Sequence, residues 1–423
     1  MLFLTKLAFK NLARHMSRTL ITAVIIAFAT FFYIVMDSLV GGMTEMSYET
    51  IIDYEAGHLQ ISNEEYWEEE EKLPLKNLFS VDGQMMTAIR NIPGYIGSSP
   101  ELSFQARLNN GSDELPVIGR GVIPEAFEEV FALGNQFVEG SLFTSTELFS
   151  GESPVVGYQA VLGKRLAEMM ELELGDYIIL LVKDRNETFN TIEAQICGLV
   201  HTSNLNVNQY LVYLPLAPVQ EALSVGNEVS KVVIRMENKN LATGAAVKLE
   251  NHLRSHNNYL GVYPWSGLEA ISFAEAQNIE NQVILTIILL IAAIAIINTV
   301  ILAALERREE IGMMKAMGLQ NNEVVYTFVL ESIGIGILGG VIGVLMGIGG
   351  VWMMITYGLD FEAMFGMDMA SFGMPVIGKV YGVWNPAAFV KVVSFGIIVS
   401  FLASIWPAYR AADKDPVKTI YHR

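Results

Sequence analysis

Several groups of residues in this chain have types and spacings that could do chemistry, and most lack what that chemistry requires. Gly157-Tyr158-Gln159-Ala160-Val161-Leu162-Gly163-Lys164 is close to the phosphate-cradling G-x-x-x-x-G-K loop but is one residue too long. Arg165 also stands where that loop carries a magnesium-binding Ser or Thr, and the spacing matters because successive backbone N–H groups must wrap one phosphate. This stretch reads as helix. Gly151-Glu152-Ser153-Pro154-Val155 misses the G-x-S-x-G nucleophile elbow at its last position, and Pro154 starts the following helix poorly. His252 and His256 would share one helix face, but no third ligand and no H-E-x-x-H glutamate accompany them. Met364, Met367, Met369 and Met374 offer soft ligands, yet they lie in an apolar loop where packing is the simpler use. Cys197 is the single cysteine, so intrachain disulfides and cysteine-based metal centres are excluded. No catalytic residue and no metal site is expected in this chain.

The polar groups that carry more weight sit inside apolar runs. Leu20–Met36 is uncharged and continues to Val40 past Asp37 alone, and Val283–Leu305 has no charge in 23 residues. At about 1.5 Å per residue the latter crosses a hydrocarbon core of about 30 Å. Val324–Tyr357 carries only Glu331, and Ala387–Trp406 only Lys391 near its start. Asn298, Thr299 and Glu331 therefore fall within spans, where polar groups are costly and often functional. The third run is rich in glycine, with overlapping G-x-x-x-G pairs Gly336/Gly340, Gly339/Gly343 and Gly343/Gly347. Such faces let another helix approach closely, either within a bundle or in a moving dimer.

Composition agrees with four spans: 52% of residues are hydrophobic and 17% charged, with mean hydropathy +0.38, against about 25% charged in soluble domains. Lys6, Lys10, Arg14 and Arg18 precede the first span, which is too long for a signal-peptide core and is expected to remain as an anchor. Lys and Arg also concentrate in 306–323 and after Trp406, whereas 358–386 holds only Lys379. Both termini and 306–323 are thus expected in the cytoplasm and 41–282 outside. The chain divides into a cytoplasmic amphipathic helix (1–18), spans at 19–40, 283–305, 324–357 and 387–406, an outer domain (41–282), the 306–323 segment, an outer loop (358–386) and a tail (407–423).

The net charge of −18 belongs to the outer domain, which alone has 34 Asp/Glu against 14 Lys/Arg. Nucleic acid is not an expected partner. Strand-like runs at His58–Ser62, Tyr177–Lys183, Thr191–Leu199, Tyr210–Leu214 and Lys231–Met236 alternate with helical periodicity at Gln84–Asn91, Gln159–Met170, Leu216–Leu223 and Leu241–His256. This predicts an α+β domain, in two subdomains, inserted between the first two of four transmembrane helices. Asp184-Arg185-Asn186-Glu187 reads as a hairpin loop, acidic Glu64–Glu71 as a solvated face, and Cys197 as an unpaired buried thiol.

Two cytoplasmic features remain. Leu2–Arg18 is amphipathic and basic, suited to the inner membrane surface. Glu306-Arg307-Arg308-Glu309-Glu310-Ile311-Gly312-Met313-Met314-Lys315-Ala316-Met317-Gly318 extends the second span as a charged helix with Gly318 suited to its C′ position. A rigid rod ending in a sharp turn suits mechanical coupling.

This run resembles the E-R-x-x-E-I-G-x-x-K-A-x-G segment of the FtsX-like permeases of ABC transporters, the group that includes MacB and the LolC/LolE lipoprotein-releasing permeases. Glu331 with the Gly-rich helix follows in the same order, and Pro407-Ala408-Tyr409-Arg410-Ala411-Ala412 with Asp415-Pro416 is similar to the family's C-terminal motif. Leu162-Gly163-Lys164-Arg165-Leu166-Ala167, leading to Leu174-Gly175-Asp176, resembles its periplasmic core. The resemblance implies a bacterial inner-membrane permease paired with an identical or homologous second protomer and two ATPase subunits. ATP and Mg would be used by those subunits and none bound by this chain. Glu306, Arg307, Glu310, Ile311, Gly312, Lys315 and Gly318 would couple to the ATPase. A lipoprotein or another lipophilic substrate is implied, with macrolide or peptide efflux and non-transporting signalling as alternatives. Carrier-recruiting subunits have an extended loop after the strand that follows the Gly-Asp pair; Lys183–Asn190 is short and lacks proline, so direct capture of a periplasmic carrier is not expected of this chain, although a partner permease could supply it.

Overall fold

A computed structural model describes Thr5 and residues 16–144, 157–254, 259–306, 308–366 and 378–413. The amphipathic 1–18 reading lies almost wholly outside these residues, as do Arg307, Gly151–Val155, His256, Met367, Met369, Met374 and the tail from Lys414. The chain forms two compact units, one containing the spans and the other containing Glu45–Glu275.

Among the described residues, four helices are long and apolar enough to cross a membrane. The first span helix is Met16–Ile51, the second Glu269–Glu306, the third Asn321–Tyr357 and the fourth Pro386–Ala412. Each runs beyond the apolar stretch read from sequence, because a helix with its own backbone hydrogen bonds satisfied has no reason to stop where lipid stops. Between the second and third spans lies a separate helix, Arg308–Ala316. A short hairpin, Leu359–Asp360 with Lys379–Val380, closes the path between the third and fourth.

Ten strands form one sheet in the outer unit: β1 Leu59–Asn63, β2 Tyr95–Asn109, β3 Glu114–Val122, β4 Phe137–Gly140, β5 Tyr158–Gly163, β6 Tyr177–Lys183, β7 Phe189–Val200, β8 Leu211–Pro215, β9 Lys231–Met236 and β10 Leu260–Pro264. Their order is β10-β1-β9-β2-β3-β8-β5-β7-β4, and β6 joins β2 to β7. That extra pairing closes β2, β3, β8, β5, β7 and β6 into a six-stranded ring. Alternation along β6 and β7 turns Ile178, Leu180, Val182, Ile192, Ala194 and Ile196 inward. Phe104 from β2 fills the ring where Gly119 opposes it without a side chain. The same core continues beneath helices Gly83–Arg90 and Ala242–Arg254. A second apolar cluster, built on Phe127, Phe131 and Tyr213, packs on the other face.

Two expectations are corrected. Gln159–Met170 is not one helix: β5 occupies Tyr158–Gly163 and a short helix follows at Lys164–Met169. Ala160, Val161 and Leu162 are buried on both faces between β8 and β7, so they show no strand period. The expected two subdomains are lobes of one continuous sheet with its apolar clusters on opposite faces.

Candidate functional site

The segment after the second span is a helix with a defined end. Gly318 takes φ +98°, its N–H donates to the Lys315 carbonyl (2.9 Å), and Leu319 N–H donates to the Met314 carbonyl (3.2 Å). This double bond pattern, with Leu319 and Met314 in one apolar cluster, is a Schellman stop. Glu323 then reaches back to the Gln320 N–H (3.0 Å) and starts the third span. Val324, Phe328, Ala408 and Ala412 complete the cluster, so the turn is wedged between the inner ends of the third and fourth spans.

Lys315 donates to the Ala412 carbonyl at the end of the fourth span, a cation on a helix C-terminus. Glu310 is half-buried, and the backbones of Glu306, Ile311 and Gly312 are helical. Among the described residues of this helix and its turn, Met313 (53%) and Met317 (74%), one helical turn apart, are large apolar side chains left exposed. Reading the segment for charge passed over them; an i, i+4 methionine pair among charged neighbours was the available signal.

The glycines of the third span divide into two faces. A Cβ on Gly339 would stand 2.7 Å from the Ala23 carbonyl oxygen, and one on Gly343 2.6 Å from that of Ala27. Gly347 meets Ile34, so Gly339, Gly343 and Gly347 line the seam with the first span. Gly336 and Gly340 instead face Ser400 and Val393 of the fourth span. The third span is thus the centre of an intramolecular bundle.

Glu331 is buried at 4% exposure, while Asn298 is exposed. Asn298 continues an outward face formed by Ile287, Ile291, Ile294 and Leu302 of the second span. The first span carries a similar face, Leu20, Ile21, Val24, Phe28 and Phe32. Asp37 is buried and accepts a hydrogen bond from Asn385 Nδ2 (2.9 Å) at the head of the fourth span.

In the outer unit, the acidic segment is anchored rather than merely solvated. Tyr66 is buried, Trp67 stacks on Tyr263 at 3.8 Å, Lys231 bonds Glu70 (3.1 Å), and Arg254 bonds Glu64 (2.6 Å). Burial raises the Cys197 thiol to about 11, and its Sγ–H donates to the Ala160 carbonyl (3.4 Å). His252 is exposed on its helix, and no metal-binding cluster occurs among the described residues. Thr188–Asp184 closes the tight β6–β7 turn.

Four span-length helices, an α+β domain inserted after the first, and a stopped helix between the second and third define a polytopic membrane protein of the permease class. Residues 19–252, more than half the chain, match the model of the MacB-like periplasmic core domain, and residues 282–416 match that of the FtsX-like permease C-terminal domain. The chain belongs to the FtsX-like, MacB-like family of ABC transporter permeases. It is 25% identical over 343 residues to the lipoprotein-releasing system transmembrane protein LolE of Haemophilus influenzae, covering 78% of each chain. It is 22% identical to LolC of Neisseria meningitidis serogroup B over 78% of this chain and 79% of that one. Against the macrolide export ATP-binding/permease protein MacB of Nitrobacter winogradskyi it is 22% identical, over 79% of this chain but 48% of the relative. The periplasmic region of MacB from Actinobacillus actinomycetemcomitans is a similar structure, at 15% identity and TM-score 0.36, covering 55% of this chain and 97% of that region.

Proposed function

We propose that this chain is the permease subunit of an inner-membrane ABC transporter that releases lipoproteins. A separate ATPase would use ATP and Mg, and this chain would convert that work into movement of its periplasmic domain. The observation that carries the reading is the stopped helix Arg308–Ala316, with its turn wedged between two spans and Met313 and Met317 left outward. Pushing on such a helix displaces the spans instead of bending a loop. The release of lipoproteins, rather than efflux, is favoured by overlap: the chain matches 78% of LolE but 48% of a MacB that carries its ATP-binding part in the same chain.

A second permease protomer, identical or homologous, would cover the outward faces of the first and second spans. Asn298 supports this assignment, because a lone amide facing lipid is costly while an amide facing another helix finds a partner. The cavity between protomers would then receive the lipophilic part of the substrate.

Purification from native membranes with identification of co-purifying proteins tests the reading. A Walker-type ATPase is the expected companion, and its absence defeats the proposal. Photocrosslinking from the outer domain then separates substrates: a lipidated protein supports release, whereas an outer-membrane channel component points to efflux. Gly318→Pro and Ile311→Asp are expected to uncouple ATP hydrolysis from release while leaving membrane insertion intact. Unchanged release in both variants would remove the coupling role.

A further inference from the structure

Past Ile51 the first span helix does not enter the sheet directly. It widens into a π-helical turn, Ile52–Ala56, closed by the Gly57 N–H donating to the Ile52 carbonyl five residues back (3.0 Å). Gly57 then takes φ +64° and β1 follows two residues later. π-turns are rare and amount to one extra residue accommodated inside a helix.

What holds this turn comes from several elements around it. Arg120 of β3 donates to the Glu55 carbonyl (3.2 Å), and Gln60 of β1 donates to the Ala56 carbonyl (3.0 Å). Asp53 pairs with Arg235 of β9. The Glu55 carboxylate accepts from Asn204 Nδ2 (2.8 Å) and from Asn206 Nδ2 (3.4 Å), while Thr50 bonds Ser203 (2.8 Å). Ile52 and Ala56 are buried, and Tyr54 packs against the Phe127–Phe131 cluster. Asp53, Tyr54 and Glu55 thus each reach a different part of the domain: β9, the Phe127–Phe131 cluster and the loop holding Asn204 and Asn206.

The sheet face below is unusual in the same place. Gln60, Ser99, Glu101, Arg120 and Tyr213 lie on one face by register, all at most 5% exposed. Gln60 Oε1, Arg120 Nε and Tyr213 Oη have no hydrogen-bond partner there, and the Glu101 carboxyl has only the Ser99 hydroxyl beside it. Glu101 and Arg120 approach only to 3.7 Å. A face with spare donors and acceptors can re-pair when the segment lying on it shifts, which a fully satisfied apolar face cannot do.

We propose that Ile52–Ala56 is a register joint between the first span and the outer sheet. Resting on the permease reading, it says where the transmitted motion is absorbed. Conversion of the π-turn to α geometry moves the preceding helix by one residue, about 1.5 Å along its axis and about 100° around it. The Arg120 Nε–H and the Tyr213 hydroxyl supply alternative donors for the carbonyls that change places. The first span can then advance and turn while β1 stays paired with β9 and β10.

Hydrogen exchange on the full chain with its co-purified ATPase, in nanodiscs of phosphatidylethanolamine and phosphatidylglycerol, tests this. Between the nucleotide-free state and the ATP–vanadate-trapped state, exchange of amides 53–57 is expected to change at least 10-fold, and that of 59–63 less than 2-fold. Glu55→Ala, which frees Asn204 and Asn206, is expected to speed nucleotide-free exchange of 53–57 about 10-fold without altering 59–63. If peptides from 30–44 respond to nucleotide while 53–57 stay constant, the joint is wrong and the permease reading stands. If no ATPase co-purifies, the permease reading fails and the joint with it.

Discussion

The membrane bundle and the outer domain bring their backbones together by opposite means. Between the first and third spans, contact depends on absent side chains, with Gly339 and Gly343 set against the carbonyls of Ala23 and Ala27. In the outer domain, contact depends on side chains that fill space, such as Phe104 laid over Gly119 inside the strand ring. The difference follows from solvent. Lipid gives helices no hydrophobic reason to associate, so only close-fitting surfaces hold. Water drives the outer sheet together with enough force to carry an under-bonded strip of Gln60, Arg120 and Tyr213 in its interior. One unit is selected for fit, the other can tolerate misfit, and a transmitting joint is easier to build on the second.

The largest effect expected lies in that strip. Burial pushes the Glu101 carboxyl up and the neighbouring Arg120 pulls it back down. Arg120→Met leaves the carboxylate buried without its cation and should cost about 4 kcal/mol. The double variant Arg120→Met/Glu101→Leu should recover most of that loss, since an apolar pair of similar volume has no charge to desolvate. Thermal unfolding of the full chain followed by outer-domain hydrogen exchange measures both. A double variant as unstable as the single one would show that the pair is not the reason.

The corresponding break in the bundle is Gly343→Leu, where the new side chain meets a backbone carbonyl that cannot yield. A loss of about 3 kcal/mol is expected, at the upper end for overpacking. Gly349→Leu, on the same helix with nothing within 4 Å of its Cβ position, is expected to be neutral. Equal losses in a detergent melting assay would contradict the assignment of the glycine faces.

These two sites also mark what was legible in the sequence. Spans could be read because lipid imposes one requirement on every residue, so Val283–Leu305 announces itself. β6 and β9 were readable with their bounds because apolar and polar sides, or a run of β-branched residues, coincide with the strand. β2 was missed, since Ser98, Ser99, Glu101 and Ser103 are buried polar groups on a strand that alternates nothing visible. The G-x-x-x-G pairs showed that helices come close there, but which helix meets which face is a tertiary fact. Lys315 looked like part of a charged rod, and only the fold could place the fourth span's last carbonyl beside it.

A pH effect of intermediate size should separate the units. Burial, aided by the charges of Arg235 and Lys239, lowers His58 to about 4, and its Nδ1 accepts from the Met236 N–H (3.3 Å). The unfolded imidazole takes up protons near 6.5, the folded one only near 4, so stability is full above that window and falls as pH drops through it. From pH 7.5 to pH 5 the outer domain should lose about 2 kcal/mol. His58→Gln should flatten that slope without changing the response of the bundle. A slope that survives the substitution would assign the acid sensitivity to another group.

The smallest loss of stability is expected at Gly318, and it discriminates most sharply between fit and transmission. At φ +98° an alanine costs about 1 kcal/mol, and the open space around its Cβ adds no clash. Gly318→Ala should therefore leave the melting of both units nearly unchanged while loosening the stop that fixes Leu319 against Met314 and Phe328. If the segment only connects two spans, nothing else follows. If it carries force, ATP turnover by the co-purified ATPase persists while lipoprotein release per ATP falls several-fold, because a push on a frayed helix end is lost before it reaches the third and fourth spans. Release per ATP equal to wild type would leave the Schellman turn a purely local stop.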